Sequence, residues 1–287
     1  MHTLIVDAGR PRSRSLGVPM GGAADRFSLA VANALVGNSP DTPALEITLA
    51  GPSLVTDAPV GMVLFGAPFA MHTPFRQLVP GQTFVLQPRE ELHIGTTGEG
   101  IRAYLAVAGG FDVPTILNSR SSLTCLTPGT AIPCASRTVP LRRINSLSHP
   151  DRCLLHVLPG PQAKWFPSAS LGPFRVSTTS NRMGIRLEGK PLPFPDQEMV
   201  SEPVCPGTVQ VTREGQLIVL GVDGQTIGGY PKIAQVIRAD LDKLGQLRPG
   251  WEITFKTLTL AEAGRHCHHR DQLLKEWLTR ISLGGMD

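Results

Sequence analysis

The sequence predicts a mainly β protein of the α+β class, built as two β-rich lobes that each hold one conspicuous helix. Three observations predict it. Gly (30) and Pro (26) are abundant among the 287 residues and follow no fixed period, which favours many short elements joined by turns. Between these breakers recur short runs rich in Val, Ile, Leu and Phe, the pattern of strands. Only two internal stretches, 24–36 and 233–244, space their apolar residues as a helix would.

The first lobe begins in a strand-like run, Thr3-Leu4-Ile5-Val6. In the stretch 24–36, Phe27, Leu29, Ala30, Ala34 and Leu35 recur at near-helical spacing, and Gly37-Asn38 supplies a stop. Strands are expected at 45–49, 61–66, 82–86, 91–94 and 101–108, the last ended by Gly109-Gly110. Residues 118–150 are rich in Ser, Thr, Pro and Arg with weak periodicity, and read as an exposed connection. The second lobe repeats the plan, with strands at 153–158, 174–177, 184–187, 208–211, 217–222 and 251–255. Its helix at 233–244 sets Ile233, Val236, Ile237, Leu241 and Leu244 on one face. An amphipathic C-terminal helix then carries Leu273, Leu274, Trp277, Leu278 and Ile281. The expected domains are 1–117, the connection 118–150, and 151–287 with the C-terminal helix.

Composition narrows the function classes. Hydrophobic content of 41% against 17% charged describes a folded globular chain. The net charge of +4 is modest and scattered; its densest stretches, Arg10 to Arg14 and Arg142-Arg143, lack interleaved aromatics, so nucleic acid is not an expected partner. Five cysteines at irregular spacing with no CxxC pair suit reduced thiols in the cytoplasm. No signal-peptide layout and no apolar run near the ~20 residues of a bilayer span occurs, so no membrane association is expected.

Four glycine-punctuated segments offer chemistry. Gly17 to Asp25 places paired glycines just before a helix, where backbone N–H groups favour a carboxylate or phosphate; Asp25 either caps that helix or contacts substrate. Asn33 within the helix and Glu46 within a buried strand each require a partner, which is either structural or a substrate. The turn 177–184 carries Arg182, able to clamp a carboxylate with two parallel hydrogen bonds, or else bonds its own backbone. The loop Asp223-Gly224-Gln225-Thr226-Ile227-Gly228-Gly229-Tyr230-Pro231-Lys232 ends an apolar strand and holds the fullest kit. There Asp223 or Tyr230 moves a proton and Lys232 faces an anion, with Gln225 and Thr226 as further contacts for a small amide. An ordinary Asp-Gly hairpin is the plainer alternative. The run His266-Cys267-His268-His269 reads as solvated side chains, with no metal site expected. No GxxxxGK[ST] phosphate loop, GxGxxG opening or GxSxG elbow occurs.

The stretches GVPMGGAADRFSLAVANALVGN, ALEITLAGPSL, YLAVAGGFDVPTILNSRSS, HVLPGPQ, STTSNRMGIRLEG and VLGVDGQTIGGYPKIAQVIRADLDKLGQLRPG, in this order, resemble the biotin-dependent carboxyltransferase-like family. That family is also called allophanate hydrolase subunit 2, and the C component of bacterial 5-oxoprolinase is among its members. The resemblance implies two cyclophilin-like β-barrel lobes and an ATP-dependent opening of 5-oxoproline to L-glutamate. It also implies a subunit 1-type partner, like the B component of 5-oxoprolinase, and a lactam-utilisation-type partner, like its A component. ATP is then shared with or held by a partner. Biotin is not expected on this chain, which has no Met-Lys-Met attachment site. Alternatives within the family are biotin-dependent carboxyl transfer to urea or another small amide, and non-catalytic regulatory binding of a subunit 1-type partner. Two departures stand out: a shortened segment after Ser121, and Ile227 where a second threonine is expected.

Overall fold

The computed structural model describes residues 2–122, 124–144, 152–166, 172–194, 197 and 199–284. Strands dominate, as the turn-rich sequence requires, and the chain divides into two compact units. The first comprises Met1–Gly9, Asp25–Ser148 and Leu273–Asp287; the second comprises Arg10–Ala24 and His149–Gln272.

The first unit contains strands β1 (His2–Val6), β2 (Ala44–Thr48), β3 (Ser53–Leu54), β4 (Val60–Gly66), β5 (Met71–Thr73), β6 (Arg76–Leu78), β7 (Phe84–Leu86), β8 (Leu92–Ile94) and β9 (Arg102–Val107). They pair as a five-stranded sheet, β1-β2-β9-β4-β7, and a four-stranded one, β3-β8-β5-β6. Leu45, Ile47, Leu64, Leu86, Leu92 and Leu105 are buried in the shared core. Helix α1 (Arg26–Leu35) lies against β4 and β9. Its last carbonyls, of Ala34 and Leu35, accept hydrogen bonds from Arg142 Nη1 at 3.3 and 2.9 Å. One of the two adjacent arginines is therefore a helix C-cap and not a solvated charge.

Within the stretch 118–150, expected to connect the lobes, described residues hydrogen-bond along the first unit. Ser122 and Leu126 donate N–H groups to the carbonyls of Ile5 and Thr3, both at 2.8 Å, and Gly61 donates to Arg137 at 2.6 Å. Asp7, just past β1, gathers the start of this segment. Its Oδ1 accepts the hydroxyls of Ser119 and Ser121, each at 2.6 Å, and the Gly9 N–H at 2.8 Å; Oδ2 accepts the Arg120 N–H at 2.5 Å. Burial opposes the charge, but these four donors outweigh it and hold the Asp7 carboxyl below its ordinary range.

The second unit is a closed barrel in the order β10-β17-β14-β15-β12-β11-β18. These strands are β10 (Leu154–Pro159), β11 (Phe174–Val176), β12 (Gly184–Glu188), β14 (Thr208–Val211), β15 (Leu217–Leu220), β17 (Lys232–Val236) and β18 (Glu252–Thr257). β10 and β18 run parallel and the other barrel pairs antiparallel. Leu155, Val157, Val209, Val211, Val219 and Ile253 fill the interior. Outside the barrel a small ribbon pairs β13 (Glu202–Pro203) with β16 (Ile227–Gly228). Helix α2 (Leu241–Leu244) and helix α3 (Leu260–Ser282) complete the chain, with Ile281 buried on the apolar face expected of α3.

The expected helix over 233–244 is corrected. Lys232–Val236 is a strand, followed by a 3-10 turn at Arg238–Asp240 and the four residues of α2. Ile233, Val236, Ile237 and Leu244 are indeed buried, but β17 forms by pairing on both edges, with β10 and β14. Apolar residues in a barrel strand covered on both faces lose the alternation that separates strand from helix.

Candidate functional site

Three of the four candidate segments meet in the second unit. Gly21 and Gly22 adopt left-handed φ of 61° and 78°, open to glycine and costly for other residues. This bend lets the Gly21 N–H reach the Val222 carbonyl at 2.9 Å. A side chain at Gly21 would place its first carbon 3.3 Å from Arg10 Nη1 and 3.9 Å from Asp223 Oδ1, so the glycine admits those two groups. Arg182 then joins the segments. Its Nε and Nη2 donate to Asp223 Oδ2 and Oδ1 at 2.6 and 3.0 Å, and Nη2 also reaches the Gly22 carbonyl at 2.7 Å. The guanidinium side chain is 7% exposed and the Asp223 side chain 36%. A buried fork thus fixes a carboxylate that remains open on one side.

Lys232 forms a second group. Its ammonium pairs with Glu202 of β13; the lysine side chain is 8% exposed and the glutamate side chain 44%. The Lys232 N–H donates to Gln162 Oε1 at 3.1 Å, and Gln162 returns its own N–H to the Lys232 carbonyl at 3.1 Å. Hydrogen bonding to Lys232 holds the Glu202 carboxyl below its ordinary range. Without a ligand, the anion that Lys232 faces is therefore Glu202.

Gln225 and half-buried Tyr230 line a cleft of about 1020 Å³ together with Ser201, Arg213, Gly228 and Gly229. Ile227, where a second threonine was expected, is 59% exposed beside them. Thr226 is buried, and its carbonyl accepts the Val204 N–H at 3.0 Å, which anchors the loop.

Asp25, Asn33 and Glu46 belong to the first unit. Asp25 caps α1: its two oxygens accept the Ser28 N–H at 2.9 Å and the Ser28 hydroxyl at 2.7 Å. Asn33 Nδ2 donates to the Thr42 carbonyl at 2.7 Å, and its Oδ1 accepts from Asn38 at 3.0 Å. Glu46 Oε2 accepts the Tyr104 hydroxyl at 2.9 Å, and Oε1 lies 3.3 Å from Arg102 Nε. Tyr104 also accepts the Asp25 N–H at 2.7 Å, so one phenol bridges the helix cap to the strand carboxylate. Burial, then the Glu46 and Asp25 carboxylates, push that phenol well above its ordinary value. Each of these side chains has a structural partner.

The histidine run lies in α3, where the His266 ring lies 4.5 Å from that of His156, tilted by 35°. His156 Nδ1 in turn lies 2.8 Å from Asp240 Oδ2. Among the described residues no group of three or more metal-ligating side chains occurs.

Sequence reasoning missed Glu202, Gln162 and Gln210. Gln210 sits between two core valines in Thr208-Val209-Gln210-Val211, so strand alternation turns it to the outer face of the barrel, yet it is 2% exposed. A glutamine flanked by core residues was the available signal. Glu202 lies in a two-residue strand, which carries no periodic signal.

The barrel's loops bring a forked Arg–Asp pair and a polar cleft together on a rigid β scaffold. The sequence signature described as carboxyltransferase domain, subdomain A and B, matches residues 16–257, and the chain belongs to that family. It is 35% identical to the C subunit of 5-oxoprolinase from Escherichia coli (strain K12), over 92% of this chain and 90% of that one. The corresponding protein of Haemophilus influenzae is 31% identical, over 96% and 94%. Urea amidolyase of Saccharomyces cerevisiae is 30% identical over 90% of this chain but only 16% of its own. The crystal structure of TTHA0988 superposes with a TM-score of 0.83 at 36% identity; the match covers 89% of this chain and spans about half, 54%, of that one. Kluyveromyces lactis urea carboxylase gives 0.84 at 25% identity, over 96% of this chain and 28% of its own. Among the described residues no helix is long and apolar enough to cross a membrane.

Proposed function

We propose that the chain is the C-type component of a cytoplasmic, ATP-dependent 5-oxoprolinase that opens 5-oxoproline to L-glutamate while hydrolysing ATP to ADP and phosphate. The observation that carries this reading is the Asp223 carboxylate, held by the Arg182 fork and open on one side. The near end-to-end match to two proteins named as C subunits of 5-oxoprolinase supports it. A five-membered lactam is a stable amide, and phosphorylating its oxygen supplies the activation that hydrolysis alone lacks. Asp223, or Tyr230 in the neighbouring cleft, moves the proton that ring opening requires, and Lys232 faces the substrate's carboxylate. Gln225 and Thr226 hold the amide; Asp25, Asn33 and Glu46 shape their own unit. The sequence has no phosphate loop of the GxxxxGK[ST] type, so ATP is shared with or held by the B-like and A-like partners.

The test is ADP release and glutamate formation from 5-oxoproline by the chain alone and with both partners. Activity confined to the full mixture supports the reading. The match to urea amidolyase favours one alternative, carboxyl transfer to urea from a biotinylated partner. Urea- and bicarbonate-dependent ADP release would support that instead, and a stable but inactive complex would point to regulatory binding.

A further inference from the structure

Beside the Lys232–Glu202 pair lies a buried amide nitrogen with no hydrogen-bond partner among the described residues. Gln210 and Lys232 are directly opposed across β14 and β17. Gln210 is 2% exposed, and its Nε2 has no hydrogen-bond partner among the described residues. Nε2 lies 2.6 Å from where a first side-chain carbon on Gly228 would sit, and Gln225 Nε2 lies 2.7 Å from the same point. Gly228 is in turn paired with Glu202 across the β13–β16 ribbon, and it lines the cleft. Two amide nitrogens thus gather about one glycine, and the residue paired with that glycine, Glu202, is the partner of the Lys232 ammonium.

The exposures of the ion pair are unequal. Lys232 is nearly sealed, so its charge requires a partner, while Glu202 is nearly half exposed and comes from a two-residue strand. A buried cation whose carboxylate partner is itself reachable from solvent is a site at which a second carboxylate competes. The second oxygen of an incoming carboxylate would meet a buried amide that bonds nothing else among the described residues.

We propose that Lys232 and Gln210 form the subsite for the carboxylate of the ligand, next to Gln225 on its amide, and that Glu202 is a built-in stand-in which the incoming carboxylate displaces. Because Glu202 and Gly228 face one another, release of the glutamate also loosens the cover over Gln210. The identity of the ligand as 5-oxoproline rests on the function proposed above; the carboxylate preference does not.

The test compares three probes on the full chain and on the reconstituted complex by calorimetry: 5-oxoproline, 2-pyrrolidinone (the same lactam without a carboxylate) and acetate. Glu202→Gln should tighten 5-oxoproline and acetate by about tenfold and leave 2-pyrrolidinone unchanged, as removal of a competing charge requires. Glu202→Asp should move binding in the same direction by less, and serves if the glutamine variant fails to fold. Gln210→Leu should weaken both carboxylates about tenfold without lowering the melting temperature, because the amide nitrogen removed has no partner among the described residues. Weaker carboxylate binding in Glu202→Gln, equal effects on all three probes, or no carboxylate binding to wild type would overturn the proposal. Carboxylate binding that follows this pattern without 5-oxoproline-dependent ADP release would leave the subsite standing and reject the oxoprolinase reading. Turnover with no effect of either substitution on carboxylate preference would do the reverse.

Discussion

Asp7 shows how one charge can organise a chain that periodicity cannot. It accepts two serine hydroxyls and two backbone N–H groups, and those donors lie more than a hundred residues along the sequence or two residues away. Asp7→Asn keeps the shape but converts an acceptor-only group into one with donors that meet donors. It should destabilise the fold by about 2–3 kcal/mol, measured by chemical denaturation. The pH dependence follows from the depressed carboxyl. The stabilisation is fully present above the unfolded value of about 4 and is lost as pH falls through the lower folded value. The stability gap between wild type and Asp7→Asn should therefore be constant at neutral pH and close under acid. At the site, Arg182→Lys removes the planar fork, so Asp223 loses its fixed orientation; complex turnover should fall at least about 100-fold with the Arg182→Lys chain correctly folded. Arg182 and Asp223 were legible because charged groups stood among glycines. Glu202 was not, because what makes it matter is a strand pairing between residues too few to show a pattern.

At the scale of elements, the strands of both units were legible wherever turn residues bounded a β-rich run, as at β2, β4, β9, β12 and β14. The two- and three-residue strands β3, β5 and β6 were not foreseen, and β17 was misassigned because a strand buried on both faces imitates a helix face. Packing there also explains Gly160 in the segment HVLPGPQ. A side-chain carbon on Gly160 would lie 2.2 Å from the Lys232 carbonyl oxygen and 2.8 Å from the Ala234 nitrogen, both backbone atoms of β17. Gly228 differs, since its nearest atoms are the side-chain ends of two glutamines and not backbone. Gly160→Ala should thus cost about 2–3 kcal/mol of stability, while Gly228→Ala should cost less than about 1.5 kcal/mol, as overpacking against a fixed backbone exceeds overpacking against side chains that turn away. Paired melts of the two variants check the order.

At the scale of the whole molecule, the chain builds two units from non-contiguous pieces: residues 10–24 leave the first unit to join the barrel and carry Gly21 and Gly22 to Asp223. That exchange was not legible, since no local pattern separates residues 10–24 from their neighbours. The chain that holds this site matches two proteins named as C subunits of 5-oxoprolinase over nearly their whole length, and its sequence has no GxxxxGK[ST] phosphate loop. The measurement that bears most directly on this account is the yield of ADP and L-glutamate from 5-oxoproline by the chain mixed with its B-like and A-like partners, run with wild type and with Asp223→Ala. Equal yields of the two products are expected with wild type, none from any one component by itself, and loss of both with Asp223→Ala at unchanged complex formation. Undiminished turnover by the Asp223→Ala complex, or none with wild type in a stable complex, would contradict that expectation.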